Sequence, residues 1–497
     1  MDFFPDNDYF QNVVIPTIFT RSNQIKQLPL PMLDKDFFGK KDSVPPFLNG
    51  LLWPNWEHTP NDGNSVFLED YSERGVSSKG DKAENLAKRV YFSAMTPELY
   101  PQYSQKVENF FNALLDINNA GKPLMAEYVA SYWNLYWDLH LGIKENCTKS
   151  VDKDVNSGNE PDQNCIPQEI KEIGDSFIAC LAEADVFSNE FKQNYNKVRE
   201  LQNFLTDWVS TAVTAMDERI QDDNNEDAET FVYYWLRNRE DTEFENQDVT
   251  FECYHNFVAL SQWGHTIYRI MEALIDDDEV KKQFDNLKKM DNCDQGDGNS
   301  FTPLERFIME IFRTRSPNAG SFSSQSVSTS ASLKVPTGAI LTTHSHKDIS
   351  KDEIHWNDPN IFNPDRYKNV LTSDQIDATL CDNEKGILKK CPFPKQNFET
   401  SEGTTITNNG FGTVYSQEHP LCDTAGYAPF GFGYRRCPGE QFTIEVIKQF
   451  LKTVCDNKIC FYRSDEGDRE EIPIAPGTTV VDNICFDTLL SGNCDNP

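Results

Sequence analysis

In FGFGYRRCPGEQF, which begins at Phe430, one cysteine follows two arginines and is flanked by glycines, just ahead of an apolar-periodic run. A thiol ionises near neutral pH only with help, and a helix N-terminus supplies it through unpaired N–H groups and the positive end of the helix dipole. Cys437 stands at such a place. Phe442, Val446, Ile447, Phe450 and Leu451 recur at three- and four-residue intervals and predict a final helix from about 439 to 454. Arg435 and Arg436 add positive charge beside the sulfur. Pro438 has no N–H to offer, so donors must come from Gly439, Glu440 or later, and Gly439 lets the backbone approach something bulky. A large planar ligand on the Cys437 sulfur accounts for the whole pattern. The plainer alternative is a small buried thiol in a glycine-rich turn.

Upstream, TPLERFIMEIFRTR reads as a helix start, with Thr302 as N-cap, Pro303 in the first turn and Glu305 completing a capping box. Leu304, Ile308, Ile311 and Phe312 form its apolar stripe, which leaves Glu310 and Arg313 on the other face at i, i+3. Such a pair is usually solvated and contributes a few tenths of a kcal/mol, roughly. Further on, HWNDPNIFNPDRY carries Trp356, Pro359, Phe362, Pro364 and Arg366. In mid-chain, FECYHNFVALSQWGHTIYRIMEALI predicts a long apolar helix, with Asp248 as its N-cap and Asp276 or Asp277 capping the next.

Phe430, Gly433, Arg435, Cys437 and Gly439 together satisfy F-x-x-G-x-R-x-C-x-G, and the loop resembles the haem-binding loop of the cytochrome P-450 superfamily. Glu310 and Arg313 match that family's E-x-x-R, and the 355–367 segment resembles its W-x-D-P-x-x-F-x-P-E/D-R-F/Y pattern. The resemblance covers most of residues 300–455. It implies a mainly α fold with a small β region, haem b held between the long central helix and the cysteine loop, and Cys437 as axial iron ligand. Glu310, Arg313 and Arg366 would brace the loop. Arg435 would meet a haem propionate, with Lys88 or Arg89 on an early helix and His346 on a strand as further propionate partners. On the central helix QWGHT is the best alignment to the family's A/G-G-x-D/E-T: Gly264 would leave a gap over the haem, His265 would replace the acid, and Thr266 would keep the hydroxyl. The activity implied is insertion of oxygen from O2 into an apolar lipid, fatty acid or sterol-like substrate, with an electron-donor protein, a reductase or ferredoxin, as partner. A hydroperoxide isomerase, dehydratase or peroxygenase needs no donor, and a non-catalytic haem or ligand-binding protein of the same fold is a third reading.

The elements that must position these residues come from the rest of the 497-residue chain, which is 38% hydrophobic and 12% aromatic and so can bury a large core. We expect one large unit: residues 1–80 as an N-terminal region of short strands and loops, and 81–497 as the haem-binding catalytic domain. Helical periodicity begins near Lys82 and breaks at Thr96-Pro97, then returns around 123–143, 168–218 and 228–239, while SSQSVSTSASLKVPTGAILTTHSH reads as short strands. Arg366 and Cys437 are 71 positions apart, and the long insertion between them is expected in a surface loop, which the resemblance implies lies near the cysteine. A net charge of −33 argues against nucleic acid as partner. No signal peptide and no transmembrane anchor are read, and thirteen cysteines without a C-x-x-C pair suggest mostly reduced thiols. The expectation is a soluble protein, cytoplasmic or peripheral. The single sequon, Asn146-Cys147-Thr148, does not overturn it.

Overall fold

The structure is a computed structural model that describes residues 17–20, 94–95, 99–147, 164–183, 188–221, 229–239, 244–299, 301–315, 319–322, 327–328, 334–335, 340–343, 356–368, 396–399, 405–408, 429, 439–464, 470–475 and 477–488. Among them the helices are α1 (Tyr100–Leu114), α2 (Leu124–Leu141), α3 (Gln168–Ala182), α4 (Asn189–Gln221), α5 (Phe231–Asn238), α6 (Asn246–Asp276), α7 (Asp278–Lys288), α8 (Pro303–Arg315) and α9 (Glu440–Asp456). The mainly helical expectation holds.

The 31-residue α6 is the axis of the packing. On one side Phe257 meets Trp133 of α2 at 4.8 Å and Phe177 of α3 at 5.7 Å between ring centroids. Trp137 of α2 packs edge-on against Trp208 of α4 at 4.9 Å. On the other side Trp263 stacks on Phe442 of α9 at 5.8 Å, and Phe442 also takes the edges of Tyr100 in α1 and Phe231 in α5. Aromatic rings bury large apolar area with few rotamers to freeze, so this chain of rings fixes where α9 begins relative to α6. Gly174 belongs to the same packing, because a side chain there would overlap the Trp133 ring.

Local signals set the helix ends. The capping box at α8 forms in both directions: Thr302 N–H donates to Glu305 Oε2 (2.8 Å) and Glu305 N–H to Thr302 Oγ1 (3.2 Å). Asp277 caps α7 through the N–H groups of Glu279 and Val280. At α6 the cap is Glu245 rather than Asp248, which instead sits three residues in and closes the box from the other side. The reciprocal pattern is the same, one turn out of place, because Glu reaches the first-turn donors as Asp does. The start of α2 is capped from far away in sequence, with Asp482 accepting from Met125 N–H (3.0 Å) and Ala126 N–H (2.9 Å).

Strand β1 (Thr17–Thr20) runs parallel to β5 (Ile340–Thr343), with β2 (Ala319–Phe322) antiparallel on the other edge of β5. β3 (Val327–Ser328) and β4 (Lys334–Val335) pair as a short ribbon, and so do β6 (Gln396–Glu399) and β7 (Thr405–Asn408) inside the long insertion. Near the C-terminus β8 (Ile459–Arg463) pairs with β11 (Ile484–Thr488), and β9 (Glu471–Ala475) with β10 (Thr478–Val481). These last four strands were not anticipated. Their alternation is broken by burial on both faces, as at Ile484, Cys485 and Phe486.

The thiol expectation needs correcting. Cys147 and Cys165 form a disulfide with Cα atoms 5.0 Å apart, and Cys460 is disulfide-bonded too. Cys180, Cys253, Cys293, Cys455 and Cys485 are buried thiols outside any disulfide. Spacing in sequence does not reveal a bridge that closes over an 18-residue separation.

Candidate functional site

Glu310 and Arg313 have no exposed side-chain surface, although their helix face looks polar in sequence. The reason is a second layer. Residues 356–367 lie across that face, with Trp356 and Tyr367 buried against Met309. The Glu310 carboxylate accepts five hydrogen bonds. Arg313 gives two through Nε and Nη2, both 2.7 Å, to Oε2 and Oε1. Arg366 Nε (3.3 Å) and Asn363 N–H (2.9 Å) reach Oε1, and the Tyr367 hydroxyl reaches Oε2 at 3.0 Å.

Two guanidiniums around one carboxylate leave an excess positive charge, and backbone carbonyls take it up. Arg313 Nη1 donates to Pro359 O (2.9 Å), while Arg366 donates through Nη2 to Asp358 O (2.6 Å) and Ile361 O (2.9 Å), and through Nη1 to Asn357 O. Asp358 has φ of 51°, a left-handed value that Asp tolerates, and the turn it makes aims these carbonyls inward. Arg313 also lies over the Trp356 ring, 5.2 Å from its centroid. Tyr367 and Asn363 were not singled out in the sequence. The signal was a tyrosine where phenylalanine would have packed equally well, its hydroxyl being a donor.

The same helix is tied to α9. Lys448 Nζ donates to Glu305 Oε1 at 2.9 Å and pairs with Asp294 at 3.3 Å, so the helix that follows Cys437 is anchored to the helix that carries Glu310.

On α6, Gly264 and His265 meet the C-terminal hairpin and Thr266 meets its own helix. A Cβ on Gly264 would stand 2.9 Å from the Ile474 carbonyl oxygen and 3.0 Å from Tyr128, so this glycine admits strand β9 and leaves no gap. His265 Nδ1 lies 2.6 Å from Thr478 Oγ1 of β10. The Thr266 hydroxyl donates to Gln262 O in the preceding turn at 3.2 Å. The hairpin that claims Gly264 and His265 lies more than two hundred residues downstream, beyond the reach of a local motif comparison. One polar atom on this helix is left over: Gln262 Oε1 is buried with no hydrogen-bond partner among the described residues.

Cys437, Arg435, Phe430 and Gly433 lie outside the described residues, as do Lys88, Arg89 and His346. Their flanks are described. Pro429 is buried, and α9 starts at Glu440 with Gly439 as N-cap, a residue with no side chain to cap the turn. A helix that starts two residues after a cysteine turns the positive end of its dipole toward an anionic sulfur. That helix dipole, and a buried Gln262 oxygen with no partner among the described residues on the helix packed against α9, fit a haem held by Cys437.

Beside the α2–α6 contact, His140 is fully buried. Its Nδ1 lies 2.8 Å from Tyr136 O and its Nε2 3.0 Å from Asn256 Nδ2. An imidazole that donates from Nδ1 and accepts at Nε2 is neutral, and burial lowers its pKa to about 3, partly opposed by the Tyr136 carbonyl.

No family model and no curated relative matches the sequence. Solved structures do match by shape. The crystal structure of the cytochrome P450DA heme domain is similar at a TM-score of 0.59 and 12% identity, covering 95% of this chain and 87% of that one. A triple mutant of that heme domain is similar at a TM-score of 0.58 and 13% identity, covering 97% and 90%. The fold is therefore of the cytochrome P450 type.

Proposed function

We propose that the chain is a haem-thiolate oxidoreductase that transfers oxygen to a mainly apolar organic substrate, with Cys437 as the iron ligand. The observation that carries this reading is the buried Glu310 carboxylate shared by Arg313, Arg366, Tyr367 and Asn363, in a fold of the P450 type. An ion cluster of this kind is costly to bury and is weak evidence for stability as such. Its use is to lock a segment in place. Here it fixes residues 356–367 on α8, and Lys448 fixes α9 on the same helix.

Bound haem would supply a thiolate-ligated iron able to activate oxygen. The chain would hold its sulfur ligand at the start of α9 and meet its propionates with Arg435, and with Lys88 or Arg89 and His346. Trp263 and Phe442 exclude water between α6 and α9.

A specific observation favours a peroxide as oxidant over O2 with an electron-donor protein. Reductive activation needs protons delivered beside the oxygen. His265 is engaged with Thr478, Thr266 bonds its own helix, and among the described residues of α6 the buried atom without a partner belongs to the amide of Gln262, which does not titrate. A peroxide brings its O–O bond and its protons with it.

The test of the main reading is a spectrum. Protein loaded with haem b, reduced and exposed to carbon monoxide, is expected to give the red-shifted Soret band of thiolate ligation, and Cys437→Ala is expected to lose it. A histidine-type spectrum in the parent chain, or an unchanged band in the variant, overturns the assignment.

A further inference from the structure

Outside the candidate site, three features meet just after α2. The helix stops at Gly142, which takes a left-handed φ of 75°, and the chain continues extended through Glu145, Asn146 and Cys147. Residue 146 then bridges in parallel to Ile166: Ile166 N–H donates to Glu145 O at 2.7 Å and Cys147 N–H to Ile166 O at 3.0 Å. Both bonds use the neighbours of Asn146 and leave its exposed carboxamide outside the pairing. The Cys147–Cys165 disulfide closes the base of this segment. In sequence Thr148 completes Asn146-Cys147-Thr148, the one N-x-S/T triplet in the 497 residues.

Each feature alone says little. A triplet of this kind arises often by chance, and a surface asparagine is ordinary. The bridges change the balance, because disulfides at Cys147–Cys165 and at Cys460 persist where the surroundings are oxidising and are removed by thiol reductants in the cytosol. The compartment in which such bridges form in eukaryotic cells is also where exposed asparagines of such triplets receive sugar.

We propose that Asn146 carries an N-linked oligosaccharide, added as the chain enters an oxidising compartment. In the transfer Asn146 Nδ2 forms a bond to the anomeric carbon of a lipid-pyrophosphate-linked oligosaccharide. The carbon–oxygen bond to pyrophosphate breaks, the lipid pyrophosphate leaves, and Nδ2 gives up one proton. The bridge forms separately: the Cys147 and Cys165 thiols together lose two electrons and two protons to a thiol–disulfide oxidant of that compartment.

The experiment uses the chain isolated from its native cells after thiol blocking, digested without reduction and treated with peptide-N-glycosidase in heavy-oxygen water. Asn146 is expected to be recovered as aspartate carrying one heavy oxygen, in a peptide still linked through Cys147 to Cys165. Recovery of Asn146 wholly unmodified overturns the proposal, whether or not the bridge is present. Two variants expressed in the same cells separate sugar from bridge. Thr148→Ala should lose the glycosidase-sensitive mobility shift and keep the bridge, whereas Cys147→Ser should lose the bridge and keep the shift. A shift that survives in Thr148→Ala also overturns the proposal.

Discussion

His140 shows how much a single buried side chain can determine. It is held neutral because both ring nitrogens are satisfied as a neutral imidazole would satisfy them, by Tyr136 O and Asn256 Nδ2, and because no water reaches it. Its folded pKa of about 3 lies below the ordinary 6.5, so the unfolded chain binds a proton that the folded chain refuses. The stabilisation is therefore complete above pH 6.5 and is lost as pH falls from there through about 3. Between about pH 7.5 and 5.5 the loss from this one group should be about 1.4 kcal/mol. Denaturant unfolding of the parent and of His140→Gln at both pH values gives the difference directly. Carboxylates and other histidines cancel in it, and a variant that loses as much stability as the parent would remove His140 from the account.

At the scale of elements, Glu310 belongs to α8 and to the segment that crosses it, and its worth is in holding the two together. Removing one partner of a buried, fully bonded ion cluster leaves uncompensated charge and costs about 3–5 kcal/mol. Glu310→Gln is expected to lose that much, Arg366→Ala somewhat less because its side chain is 10% exposed, and the double change well short of the sum, since both break one network. Additive losses in denaturant titrations would mean that the two residues act separately. Sequence spacing revealed this helix to its cap, because Thr302, Pro303 and Glu305 act on their own turn and need nothing distant. It did not reveal that the polar face is buried, since the cover comes from residues 356–367. The same limit explains Gly264 and His265, whose neighbours Ile474 and Thr478 belong to β9 and β10. It explains α2 as well, whose cap is Asp482. Periodicity records what a segment buries, and only tertiary contact records against what.

Across the whole molecule, the question is how oxidising equivalents would reach a haem held by this chain. No helix among the described residues is long and apolar enough to cross a membrane, and the chain carries a net charge of −33. A donor protein would have to dock against that field, which repels acidic partners and weakens with salt in its attraction for basic ones. A small peroxide meets no such barrier. The bridges at Cys147–Cys165 and Cys460 point the same way, because a chain in an oxidising compartment is separated from cytosolic reductants. We therefore expect the haem-loaded chain to oxidise a panel of fatty acids or sterols with hydrogen peroxide or lipid hydroperoxides alone, without NADPH or a donor protein. Thr266→Ala should retain that turnover within about twofold, since the hydroxyl it removes bonds the carbonyl of Gln262 in its own helix. His265→Ala should lower thermal stability by freeing the Thr478 contact, with turnover per folded haem unchanged. Turnover that requires NADPH and a donor, and that uncouples to hydrogen peroxide in Thr266→Ala, would reverse the choice of oxidant and put the threonine beside the oxygen after all.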